Sequence, residues 1–194
     1  MKWIGCTVSL LALLATRDAL AKEAPSAPAF DPPRTARVPA QAMVAGKDVA
    51  AQAEFSCTTG RGGALQAALI LPVPEQVPAF PLDAFEGPGG IGETKSLAAW
   101  SLDGNAAMRV PSSISGWRGV DGDGFLLATS TPSNQASDLA RVLQRWLESD
   151  AARLRLEVQA PRGGAKLEAG IAASEERARL VTALAPCLAV LREH

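Results

Sequence analysis

Alternation of apolar and polar positions is clearest in the second half of the chain. Leu154, Leu156 and Val158 alternate with charged or polar residues, the signature of a half-buried strand. After the turn-forming Pro161-Arg162-Gly163-Gly164, Leu167, Ala169 and Ile171 alternate again, which predicts a β-hairpin. The period then changes. Leu180, Ala183, Leu184, Cys187 and Leu188 share one face of a helix, with Ser174 placed as N-cap and Glu175 and Glu176 in the first turn, where the helix dipole favours acids. Pro186 lies inside this stripe and is expected to kink the helix or end it early.

A similar unit lies upstream. Residues 125–130 read as a strand, Ser133 or Asn134 as a cap, and Leu139, Val142, Leu143, Trp146 and Leu147 as a helical stripe. An offset of 41 residues carries that stripe onto Leu180, Ala183, Leu184, Cys187 and Leu188, which suggests two tandem β-β-α units. Amphipathic helices share this spacing in any case, and the architecture does not depend on duplication. Further upstream, residues 54–58 and 65–71 read as strands linked through Gly60-Arg61-Gly62-Gly63. The fold class that follows is α+β: a mainly antiparallel sheet with two amphipathic helices packed on it.

The N-terminus follows another pattern. In MKWIGCTVSLLALLATRDALA, Lys2 precedes an apolar stretch at 4–15, and Ala19-Leu20-Ala21 supplies the small-x-small pattern of signal-peptidase cleavage. Residues 1–21 are therefore expected to be a secretory signal peptide, with the mature chain starting near Lys22. The run falls short of the roughly 20 residues a membrane-spanning helix needs. Cys6 precedes the apolar stretch instead of following it, so lipidation is not expected. Residues 22–40 carry Pro25, Pro28, Pro32, Pro33 and Pro39 among Ala, Ser and charges, and read as a flexible lead-in. Residues 41–194 are one domain's worth of chain.

Composition sharpens the address. Loss of residues 1–21 reduces 19 basic residues to 17 and 20 acidic residues to 19, a net charge of −2, which gives no electrostatic reason to expect nucleic acid. No later segment is long enough to span a membrane. An Ala-rich composition with Arg over Lys and no tyrosine suits a bacterium of GC-rich DNA, so the expected destination is a periplasm. Cys57 and Cys187 remain after Cys6 leaves with the signal; in an oxidising compartment they most simply form one disulfide, tying an early strand to the closing helix. Two free buried thiols are the alternative.

Export and composition close several chemistries. His194 is the single histidine and the last residue, so Ser-His-Asp, Cys-His and His-rich zinc arrangements are not expected, and no metal or cofactor is. Gly87-Pro88-Gly89-Gly90-Ile91-Gly92 satisfies GxGxxG, but no βαβ context surrounds it, and a turned loop is the better reading. Asp121-Gly122-Asp123-Gly124 resembles the start of a calcium loop, but Phe125 stands where the next oxygen ligand belongs, so a hairpin turn is expected. Paired carboxylates stay open, with Asp83, Glu86, Glu93, Asp121 and Asp123 as candidates.

One stretch reads as a partner surface. Residues 72–92 are rich in Pro and Gly, and no Lys or Arg occurs between Arg61 and Lys95. Phe80 and Phe85 sit beside Asp83, Glu86 and Glu93, with Glu75 upstream; aromatic anchors beside carboxylates on a stiff loop suit insertion into a basic cleft. A structural loop whose Phe residues cover the sheet is the other reading. Trp100, Trp117 and Trp146 read as core. The expectation is an exported, non-enzymatic protein that binds another envelope or periplasmic protein, such as an inhibitor, an immunity-type protein or an accessory factor of an envelope or secretion system. A cell-wall glycan hydrolase using a carboxylate pair is the alternative.

Overall fold

The computed structural model describes residues 32–60, 62–77, 79–87, 96–103, 105–119, 124–150, 152–173 and 175–192. The expected signal peptide, most of the lead-in, Glu93, Asp121, Asp123, Ser174, His194 and residues 88–92 of the glycine-rich motif lie outside them. The elements run β1 (Arg34–Val44), β2 (Lys47–Cys57), β3 (Ala64–Leu71), β4 (Ala98–Leu102), β5 (Asn105–Ser112), β6 (Ser115–Arg118), β7 (Phe125–Pro132), α1 (Asp138–Glu148), β8 (Arg153–Gln159), β9 (Lys166–Ala172) and α2 (Arg177–Leu188). Short 3₁₀ turns occupy Pro74–Gln76, Leu82–Phe85 and Ala189–Arg192.

The fold is α+β. Among the described residues nine strands join one antiparallel sheet in the order β5-β4-β8-β9-β1-β2-β3-β7-β6. Connectivity forces this sheet to curl. Laid flat, nine strands would hold the edges β5 and β6 about 38 Å apart. Only Ser113 and Ile114 separate β5 from β6 in sequence, and that link reaches at most about 11 Å. The sheet therefore bends into a half-barrel that brings its edges together. A buried hydrogen bond fastens the seam: Trp100 Nε1 on β4 donates to Thr129 Oγ1 on β7 at 3.0 Å, and the Thr129 hydroxyl donates to the Ser113 carbonyl at 3.2 Å.

Side chains alternate across this curl, with small residues such as Ser56, Ala68, Ala99 and Ala128 buried between the inward-facing ones. Ala36, Val38, Phe55, Leu69, Leu127, Leu156 and Ile171 point inward and are buried, as period-2 patterning requires. The two helices fill much of the hollow: α2 packs on β1, β2 and β3, and α1 on β4, β5 and β8. On α1, Leu139, Val142, Leu143, Trp146 and Leu147 are all buried, with Trp146 tilted against Phe55 at a ring-centroid distance of 5.2 Å. The Cys57–Cys187 disulfide joins the end of β2 to α2 across a sequence separation of 130 residues.

Several expectations need correction. The lead-in stops short of residue 40, because Arg34–Ala40 is the first part of β1, with Ala36 and Val38 in the core. Pro39 is accommodated because β9 pairs only with Ala40–Val44, so the proline lies just past the end of that ladder. The α1 cap is Ser137, whose Oγ accepts from the Ala140 N–H at 3.1 Å. Ser133 instead lies in the turn after β7 and donates its N–H to the Gly63 carbonyl at 3.0 Å. Pro186 does not end α2, which continues to Leu188; its first residue is Arg177, after Glu175 and Glu176. The element order β6-β7-α1-β8-β9-α2 contains two hairpin–helix units, but β7 pairs with β3 at one end of the sheet while β8–β9 lies between β4 and β1.

Candidate binding surface

The segment at 72–87 is part of the interior. Phe80 is 2 % exposed and Phe85 0 %, stacked on each other at 5.7 Å, with Leu82 buried beside them. The sheet was built to receive them: a Cβ on Gly116 of β6 would stand 2.6 Å from the Phe125 ring and 3.1 Å from Phe85 Cβ. Phe80 and Phe85 are therefore corrected from partner anchors to core residues, because the 3₁₀ turn at Leu82–Phe85 directs its apolar side chains under β6. The carboxylates of the stretch remain outside, together with Gln76, Ala79, Pro81 and Ala84. Arg118 on β6 holds Glu75 at 3.3 Å and Asp83 at 3.2 Å, and Glu86 is exposed nearby. A backbone hydrogen bond and the Arg118 guanidinium keep the Glu75 carboxyl below its ordinary range, and the same pairing raises Arg118.

Two grooves of similar size open on the outer face of the sheet. The first, about 660 Å³, crosses β8, β9, β1 and β2. Most of its charges are paired: Asp103 with Arg155, Glu157 with Arg109 and Lys166 at 3.4 Å each, and Glu168 with Lys166 at 2.5 Å. Hydrogen bonding to Glu168, with Glu157 close by, holds the Lys166 ammonium above its usual range. Arg153 donates to Gln41 at 3.0 Å. This face is a ladder of cross-strand ion pairs, each of modest worth in solvent.

The second groove, about 680 Å³, lies over β2, β3, β7 and β6. Register places Gln52, Ile70, Leu126 and Trp117 in one row across these four strands. All four face outward, since their neighbours Ala53, Leu69, Leu127 and Gly116 face the core. Trp117 is 38 % exposed, in contrast to the fully buried Trp100 and Trp146; its assignment to the core is corrected. Gln76 and Arg37 also line the groove, and Gly119 and Gly124 border it. A Cβ on Gly124 would meet the Leu71 carbonyl oxygen at 2.7 Å, so the chain enters β7 close against the backbone of β3. The sequence did hold a signal for Trp117. In Ser115-Gly116-Trp117-Arg118 the inward position is a glycine, which leaves the tryptophan on the opposite face.

Among the described residues no Asp or Glu is buried, and no group of three or more His, Cys, Asp or Glu could hold a metal ion. Asp83 and Glu86 are exposed, whereas a general acid needs burial to raise its proton affinity. Among the described residues no helix is long and apolar enough to cross a membrane. Comparison with protein-family models, with curated proteins and with solved structures finds no match to the chain.

Proposed function

We propose that this chain is an exported, non-catalytic binding protein of a bacterial periplasm, an inhibitor, immunity-type or accessory factor acting on another component of the envelope. Its recognition surface is the outer sheet face centred on Trp117. The observation that carries this is Trp117 itself: a large aromatic left 38 % exposed at the end of the Ile70–Leu126 row, in a chain that buries its other described tryptophans. Partly exposed aromatics with apolar neighbours and a polar rim are the common anatomy of binding anchors. The buried disulfide is compatible with an oxidising compartment, and the apolar stretch at 4–15 followed by Ala19-Leu20-Ala21 supports export. The 41-residue offset between the two helical stripes supports reading β6-β7-α1 and β8-β9-α2 as tandem units.

The test is made in cells. Tagged full-length protein should be recovered from the periplasmic fraction with its N-terminus at Lys22, and Trp117→Ala should lose the envelope components that co-purify with the parent. Phe80→Ala serves only as a folding control, since Phe80 is core. Recovery of uncleaved protein from the cytoplasm, or identical partner sets for parent and Trp117→Ala, would overturn the proposal.

A further inference from the structure

We infer that the groove beside Trp117 is a subsite for a neutral glycan strand, an inference that rests on the Trp117 face being the recognition surface. Charge is the first ground. The two arginines next to the groove are already neutralised, Arg37 by Glu54 at 2.5 Å and Arg118 by Glu75 and Asp83. The polar groups left for a ligand are the amides of Gln52 and Gln76. Each amide offers two donors and an acceptor in one plane, which suits vicinal hydroxyl and acetamido groups. Within the groove lining the single charged side chain is Arg37, held by Glu54, so the lining gives no electrostatic complement to a charged protein face.

Shape is the second ground. The negatively polarised face of an indole attracts weakly positive C–H groups, and a sugar ring presents such a face between its equatorial hydroxyls. The row from Gln52 to Trp117 crosses four strands, about 14 Å, the length of a short oligosaccharide. Ile70 and Leu126 form its apolar floor. An extended peptide is a poorer fit, because strand addition needs a free edge. The edge of β6 is engaged there: Gly116 pairs with Glu86, and the Gly87 N–H donates to the Gly116 carbonyl at 2.9 Å.

The test uses the full mature chain with its disulfide intact, titrated separately with chitotetraose, cellotetraose and maltotetraose while tryptophan emission is recorded. Saturable change with at least one of them is expected, at a dissociation constant of about 0.1–1 mM, typical of a shallow site. Trp117→Ala should abolish it, Trp117→Phe should retain part, and Gln52→Ala with Gln76→Ala should weaken it at least tenfold. All variants should keep the parent's unfolding midpoint. Absence of binding to all three sugars, or equal affinity in Trp117→Ala, overturns the glycan inference. If Trp117→Ala also keeps every envelope partner, the recognition surface itself is wrong; if it loses a protein partner, the surface stands and its ligand is a protein.

Discussion

Replacing Thr129 by valine tests the curl of the sheet at its seam. The two side chains are nearly isosteric, so packing is kept while the hydroxyl is removed. Trp100 is fully buried, and its Nε1 would lose the acceptor it reaches at 3.0 Å. A buried donor left unpaired costs about 1–3 kcal/mol. Loss of the bond to the Ser113 carbonyl adds less, because Ser113 is exposed and water can replace the hydroxyl. The expected loss is about 2 kcal/mol, a fall in melting temperature of about 4–8 °C for a domain of this size. Urea unfolding followed by circular dichroism, with the disulfide intact, should show a lower midpoint and an unchanged slope. The double-mutant cycle isolates the cause. In a Trp100→Phe background the donor is absent, so Thr129→Val should become nearly neutral. If Thr129→Val costs nothing in the parent, or as much in Trp100→Phe as in the parent, this hydrogen bond does not hold the seam.

Three other perturbations have defined outcomes. Replacing Cys57 and Cys187 together by serine should cost up to about 5 kcal/mol, the chain-entropy value for so long a loop; a loss under about 1 kcal/mol in urea unfolding would remove its role as a staple. Arg177 donates to the Leu147 and Ser149 carbonyls and pairs with Asp150, closing the C-terminal end of α1. Arg177→Ala should cost about 1–2 kcal/mol and speed amide exchange in the last turn of α1, and unchanged exchange there would contradict this. Ala45 holds a left-handed conformation (φ 50°) before Gly46 in the β1–β2 turn. Asn-Gly favours this geometry, so Ala45→Asn should stabilise by about 0.5–1 kcal/mol in the same assay.

The sequence exposed those parts of the fold in which residue size and period agree. Leu154, Leu156 and Val158, and the α1 stripe around Trp146, are large side chains at strict spacing, and all are buried. β1 escaped notice because its inward positions include Ala36 and Ala42, weak signals beside Pro32, Pro33 and Pro39, and because its place depends on distant pairing with β2 and β9. The proposed binding surface is legible in the sequence only in part. The stretch at 72–87 stood out by composition, yet whether Phe80 and Phe85 face solvent depends on the hollow that the curled sheet and Gly116 create for them. Trp117 was misassigned because a tryptophan is usually core, and its exposure follows from Gly116 taking the inward position.

The most direct test of the central claim is site-specific photo-cross-linking in living cells. A photoreactive residue is placed at Trp117 on the outer sheet face and, separately, at Val181, an apolar residue of α2 that is 45 % exposed. The account predicts discrete envelope adducts from position 117 and none from 181. Equal adducts from both positions, or none from 117 in a protein shown to be folded and exported, would contradict it.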